Sequence, residues 1–199
     1  MEPSRSQLGL LRQTLEHFHP VPDSIWSDLA GIFTATRIQR SAELVAAGGR
    51  NDTFFFVTEG LLRIYYLDRE GRERNKAFIE AGGFAGAMSS FSASRPSPFN
   101  IESLEPGYAL SARWEDMESV YQRNPSLERL GRRIAEWLLD KKVSRERELL
   151  ELNATERYQA FLKTHPSLVN RIPNYHIASF LGITDVSLSR IRQKSHSEA

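Results

Sequence analysis

Residues 174–194 read NYHIASFLGITDVSLSRIRQK. The stretch predicts two short helices hinged at Gly182. Ile177, Ala178, Leu181, Ile183, Leu188 and Ile191 recur at the spacing that packs one helix across another. Ala178 is small where two helices would cross. Gly182 follows Leu181, where a helix stop needs a residue tolerant of positive φ. Thr184 or Asp185 can cap the second helix by accepting a bond from its orphan N–H groups. Between the buried positions of that second helix lie Ser187, Ser189, Arg190, Arg192 and Lys194. These side chains suit phosphates and base edges, and the only acid among them is Asp185 at the start. A helix-turn-helix is the leading reading, and the alternative is a plain helical hairpin.

Composition sets the frame around it. The chain has 199 residues, 40% hydrophobic and 26% charged, with formal net charge +1. That length suits one large or two small domains with real cores. No run approaches the roughly 18 apolar residues of a membrane span. The start, MEPSRSQLGLLRQ, lacks the apolar segment and cleavage site of a secretory signal, so a cytoplasmic location is expected. The absence of cysteine removes disulfides, thiolate-held iron–sulfur clusters and cysteine nucleophiles. Residues 1–112 carry net charge −2 and residues 113–199 carry +3. DNA binding would therefore depend on a local basic patch.

Upstream, helical spacing runs over Gln7–Phe18 and Pro22–Phe33, with Asp23 and Ser24 as candidate caps. From Thr36 to Ala112 short β-rich runs alternate with turn signals: Leu44-Val45, Thr53–Thr58, Leu61–Tyr66, Asn75–Ile79, Phe99–Leu104 and Tyr108–Ser111. YYLDREGRER, at 65–74, reads as a hairpin around a glycine-bearing turn. Strands so spaced predict a sandwich or barrel, with a jelly roll the expected form. Helix returns over Trp114–Gln122. A long helix then runs from Pro125 to about Leu150, roughly 26 residues or about 39 Å. Its Leu127, Leu130, Ile134, Trp137, Leu138 and Lys141 follow a 3-4 pattern that suits packing on the β domain or pairing with a second copy. Asn153-Ala-Thr-Glu156 is a capping-box start for a helix ending near Pro166.

Enzymatic chemistry finds few residues to carry it. The histidines are His17, His19, His165, His176 and His196. None falls in the β region, so a cupin-type metal site has no imidazole there. Ser89, Ser90, Ser92, Ser94 and Ser97 have no histidine to act as base. GGFAGA at 82–87 lacks the Lys-Ser/Thr end of a phosphate loop.

Taken together, ELVAAGGRNDTFFFVTEGLLRIYYLDREGRER, GGFAGAMSSF, the helix after Asn124-Pro125 and IASFLGITDVSLSRIRQK resemble the Crp/Fnr family of bacterial transcription regulators. Gly48, Gly60, Gly71, Gly83 and Gly86 fall where that family's nucleotide-binding jelly roll places turns. Glu156-Arg157-Tyr158, Phe161-Leu162, Pro166, Arg171, Pro173 and Ile177–Arg192 match one subgroup in order. The resemblance implies an α+β protein: an N-terminal double-stranded β-helix (jelly roll) with flanking helices over 1–112, connecting and dimerisation helices over 113–150, and an all-α helix-turn-helix domain over 151–199. It implies a homodimer on double-stranded DNA with a palindromic operator, and RNA polymerase as a further partner. Asn174, Thr184, Ser187, Ser189, Arg190, Arg192 and Lys194 are the expected DNA-binding set, with Arg190 placed to read guanine. The effector pocket would be lined by Phe84, Gly86, Ala87, Met88, Ser89, Ser97 and Lys142.

Three departures qualify that resemblance. The family's ribose-binding Glu is replaced by Ala87, and its phosphate-binding Arg-Ser pair aligns with Ser97-Pro98. A buried phosphate needs a cation and donors, so neither cAMP nor cGMP is expected. The pocket would take another small molecule, or its core would be filled by Phe84, Met88 and Phe91. Without cysteine or a nearby histidine, iron–sulfur and haem sensing are not expected. Finally, the Glu that precedes the Ser-Arg pair is Val186 here, which removes an acceptor for cytosine N4 and offers contact to a thymine methyl. The sequence shows no β wing after Lys194, from which strong salt sensitivity and modest affinity for one half-site are expected. The competing reading is a small-molecule or protein-binding jelly-roll module whose helical tail is only an interaction surface.

Overall fold

In a computed structural model, residues 1–88 and 95–197 are described. Within them the elements are α1 (Arg5–Phe18), α2 (Asp23–Gly31), β1 (Thr34–Ile38), β2 (Glu43–Val45), β3 (Thr53–Leu67), β4 (Glu73–Glu80), β5 (Phe84–Ala85) and β6 (Asn100–Arg113). They continue with α3 (Trp114–Arg123), α4 (Pro125–Glu151), α5 (Ala154–Thr164), α6 (Asn174–Leu181) and α7 (Asp185–Ser197). The fold is α+β, as expected. Two compact units form: one from 1–66 and 77–137, the other from 67–76 and 138–199. The second unit thus contains the tip of the β3–β4 hairpin.

The first unit is built on an open antiparallel sheet in the order β1-β6-β3-β4, with β2 on β6 and β5 on β3. The sequence breaks both long strands at glycine, but the structure does not. β3 runs through Gly60 and β6 through Gly107, and the register between them shifts across 57–62. Gly60 has φ 92° and Gly107 backs onto it, so that a Cβ on Gly107 would lie 2.1 Å from the Glu59 carbonyl oxygen. These glycines permit a bulge and a close approach rather than a turn. Both faces of the sheet are apolar. Phe56, Leu110 and Ala112 meet Leu11, Leu15, Leu29, Val120, Leu127 and Leu130 from the helices. Phe55, Val57, Leu62, Ile64, Ala87, Phe99 and Ile101 close on one another across the inner side.

Two helix starts depart from the sequence reading. α1 begins earlier because Ser4 Oγ accepts the Gln7 N–H and Gln7 Oε1 accepts the Ser4 N–H, a complete capping box. α2 has Pro22 at its cap position with no side-chain cap. Asp23 instead takes a guanidinium bond from Arg12. Leu127 and Leu130 are buried inside the chain, and Trp137 packs edge-on against Phe18 at 5.4 Å. Leu127 and Leu130 are therefore not surfaces that a second copy can reach, which corrects their assignment as dimer residues.

In the second unit, the expected capping box is present: Asn153 Oδ1 accepts the N–H groups of Thr155 and Glu156, and Glu156 Oε2 accepts the Asn153 N–H. Among the described residues Tyr158, Phe161, Leu168, Ile172, Ile177, Ala178, Phe180, Leu181 and Leu188 are its buried apolar residues.

Candidate nucleic-acid interface

The α6–α7 pair is assembled from local rules. Gly182 sits at φ 70°. The Ile183 N–H bonds the Ala178 carbonyl at 3.0 Å and the Gly182 N–H bonds that of Ser179 at 3.2 Å, which is a Schellman stop. Of the two candidate caps, Thr184 takes the role: its Oγ1 accepts the Ser187 N–H at 3.2 Å. Asp185 lies in the first turn, where a carboxylate favours the helix N-terminus. The C-terminal end of α6 is bound from outside. Arg145 on α4 donates to the Phe180 carbonyl and lies 4.0 Å over the Phe180 ring.

Leu188 is buried, so the opposite side of α7 faces solvent. That side carries Val186, Ser189, Arg190, Gln193 and Lys194, all exposed. Val186 is 60% exposed. Arg190 makes no hydrogen bond or ion pair among the described residues. Arg192 points elsewhere, donating to Asn174 Oδ1 at the start of α6. Ser187 Oγ and Thr184 Oγ1 lie 2.9 Å apart. The seven residues expected from sequence therefore divide: Ser189, Arg190 and Lys194 are on the open face, Thr184 and Ser187 form the cap, and Asn174 and Arg192 form a tie between the helices. Gln193 was missed. Its i, i+3 and i+7 spacing from Arg190 and Val186 was the available signal.

The candidate effector positions are arranged differently. Ala87 is fully buried in the inner apolar cluster. Ser97 is buried too, its Oγ donating to the Phe99 carbonyl at 2.7 Å, while its backbone pairs with Gly48 and Gly49. Phe84 packs on Phe56 with ring centroids 5.0 Å apart, and Gly86 is half-buried. Met88 is 40% exposed, so it does not fill the core as the sequence reading allowed. Ser89 and Phe91 lie outside the described residues. Lys142 belongs to the second unit. Burial lowers the Lys76 ammonium below its usual range, and the charge of Lys142 adds to that.

Among the described residues no helix is long and apolar enough to cross a membrane. Residues 35–124 match the family of cyclic nucleotide-binding domains. No curated protein matches the chain in sequence. Among solved structures, FixK2 from Bradyrhizobium japonicum is similar at 18% identity and TM-score 0.72, over 84% of this chain and 86% of that one. The c-di-GMP responsive global regulator CLP of Xanthomonas campestris follows at 16% and 0.69, over 89% and 93%. The Thermus thermophilus catabolite activator protein gives 18% and 0.58, over 93% and 87%. The fold shared with these structures spans 84–93% of this chain.

Proposed function

We propose that this chain, a cyclic nucleotide-binding-type domain joined to a helix-turn-helix in the Crp/Fnr fold, is a sequence-specific DNA-binding transcription regulator. It acts in the cytoplasm as a homodimer and performs no catalysis. The observation that carries the reading is the outer face of α7. There the exposed Arg190 guanidinium, without a partner among the described residues, stands beside the exposed Val186 on a helix anchored by Leu188 and started by Thr184. A guanidinium and a methyl-bearing side chain side by side on an open helix face suit base edges in the major groove. Arg190 donates two bonds to guanine O6 and N7, Val186 meets a thymine methyl, and Gln193 is placed for an adenine edge. Ser189 and Lys194 hold phosphates, which fix register without reading sequence. Asn174 and Arg192 brace the two helices at the same surface.

Dimerisation is supported by a second exposed stripe. Leu139, Val143 and Leu150 on α4 are 59%, 53% and 78% exposed, at intervals of four and seven residues that suit a parallel helix partner. Two readers one helical turn apart then meet a palindromic operator. RNA polymerase is the expected further partner. The effector is neither cAMP nor cGMP, because Ala87 and Ser97 offer no charge or spare donor to an anionic phosphate. An effector, where one acts, is another small molecule.

Selection from a random DNA pool with the full-length dimer tests the reading. A palindromic consensus is the expected result, and retention of DNA without sequence preference contradicts it.

A further inference from the structure

We infer that α7 recognises the C5-methyl group of a pyrimidine through Val186, and therefore binds an operator more tightly when a cytosine at that position is methylated. This recognition presupposes the DNA-binding reading above and adds a chemical modification of the DNA to what the chain reads.

The open face of α7 supplies the geometry. Val186 and Arg190 are both exposed on it, one helical turn apart. Side chains so spaced are neighbours on one side of a helix, about 6 Å apart along its axis. Successive bases of one strand rise by about 3.4 Å, so the two side chains address base pairs within about two steps of each other. Arg190 makes no hydrogen bond or ion pair among the described residues, which leaves its fork of donors for guanine O6 and N7. A guanidinium so bonded fixes the register, and with it the base that Val186 meets. Valine on a helix holds one χ1 rotamer. Its two methyls therefore stand in place before contact and lose little freedom on making it.

The chemistry around Val186 narrows what it can distinguish. Thymine and cytosine differ in the major groove at two places: O4 against the N4 amino group, and methyl against hydrogen at C5. Telling O4 from N4 takes a side chain that only accepts or only donates. Val186 does neither. The hydroxyls of Thr184 and Ser187 lie 2.9 Å apart and bond each other, and Thr184 also accepts the Ser187 N–H. Asp185 is in the first turn, about 100° round the helix from Val186. Ser189, on the open face, donates and accepts alike. What remains to Val186 is the group at C5. 5-Methylcytosine carries there the same methyl as thymine, so it meets Val186 as thymine does and unmethylated cytosine does not. One buried methyl is worth about fourfold in affinity, and a palindrome presents the position twice.

The test begins with selection from random DNA by the whole chain, wild type and Val186→Ala in parallel. The base pair whose preference differs between the two is the one that Val186 meets. Duplexes then carry thymine, uracil, cytosine or 5-methylcytosine there in both half-sites, and affinity is read by fluorescence anisotropy. Wild type should bind 5-methylcytosine over cytosine, and thymine over uracil, each by about fourfold per half-site. Val186→Ala should reduce both ratios to less than about twofold. Val186→Glu, which supplies an acceptor for N4, should favour cytosine and gain nothing from its methyl. Equal affinity of wild type for cytosine and 5-methylcytosine overturns the inference. So do ratios left intact by Val186→Ala, a methyl preference kept by Val186→Glu, or the same consensus from both selections. In each of those cases an operator has still been selected, and the DNA-binding reading stands. A wild type that selects no operator refutes that reading, and methyl recognition falls with it.

Discussion

The outer face of α7 and the inner apolar cluster of the sheet obey opposite rules. On α7 the apolar residues are spent inward, with Leu188 at zero exposure, and polar side chains stand in solvent beside an exposed valine. In the sheet's inner cluster Ala87 is fully enclosed and Ser97 is already bonded to the Phe99 carbonyl, the two positions that the sequence resemblance aligns with a nucleotide-binding site. One region keeps unused bonding capacity at its surface, and the other has consumed its own internally. Function follows the donors and acceptors left over after folding.

The largest effects are expected inside the sheet. Gly107→Ala places a Cβ against the Glu59 carbonyl, backbone against backbone. It should cost more than about 4 kcal/mol, read as loss of cooperative folding in urea. Ala87→Glu inserts a carboxyl into the apolar inner cluster. It should destabilise by about 3 kcal/mol, and calorimetry should still show no micromolar cAMP binding. A stable Ala87→Glu protein would mean that the interior has room the packing denies.

The helical unit gives smaller and more selective effects. Val143→Glu places an exposed charge in the middle of the Leu139–Leu150 stripe. It should shift sedimentation from dimer towards monomer and leave the thermal midpoint of the monomer fold within about 2 °C. Dimers that survive it would move the interface elsewhere on the chain. Lys194→Ala should weaken every DNA sequence alike and lower the salt slope by about 1.

Much of the helical unit was readable from sequence because its rules are local. The glycine stop at 182 and the Asn153–Glu156 box each need only neighbours four or five residues away, and both formed as expected. The β-roll was read less well because its glycines act at long range. Gly60 looks like a turn in sequence but serves as a bulge because Gly107, far along the chain, lies against it. The Ser4 cap lay outside the apolar periodicity. The α4 residues Leu127 and Leu130 share the spacing of a dimer seam, but their burial against Leu11 and Leu15 depends on a helix more than a hundred residues earlier. The bond from Arg145 to the Phe180 carbonyl and the Asn75–Ser179 contact are equally non-local, and spacing along the chain carries no trace of either.

The most direct test of the account is a selection from random DNA with wild type and Arg190→Ala in parallel. Wild type should return a palindromic consensus. Arg190→Ala should relax the preference at one base pair per half-site, a loss of about 1–3 kcal/mol there with folding unchanged. An identical consensus and footprint from the two proteins would contradict the account.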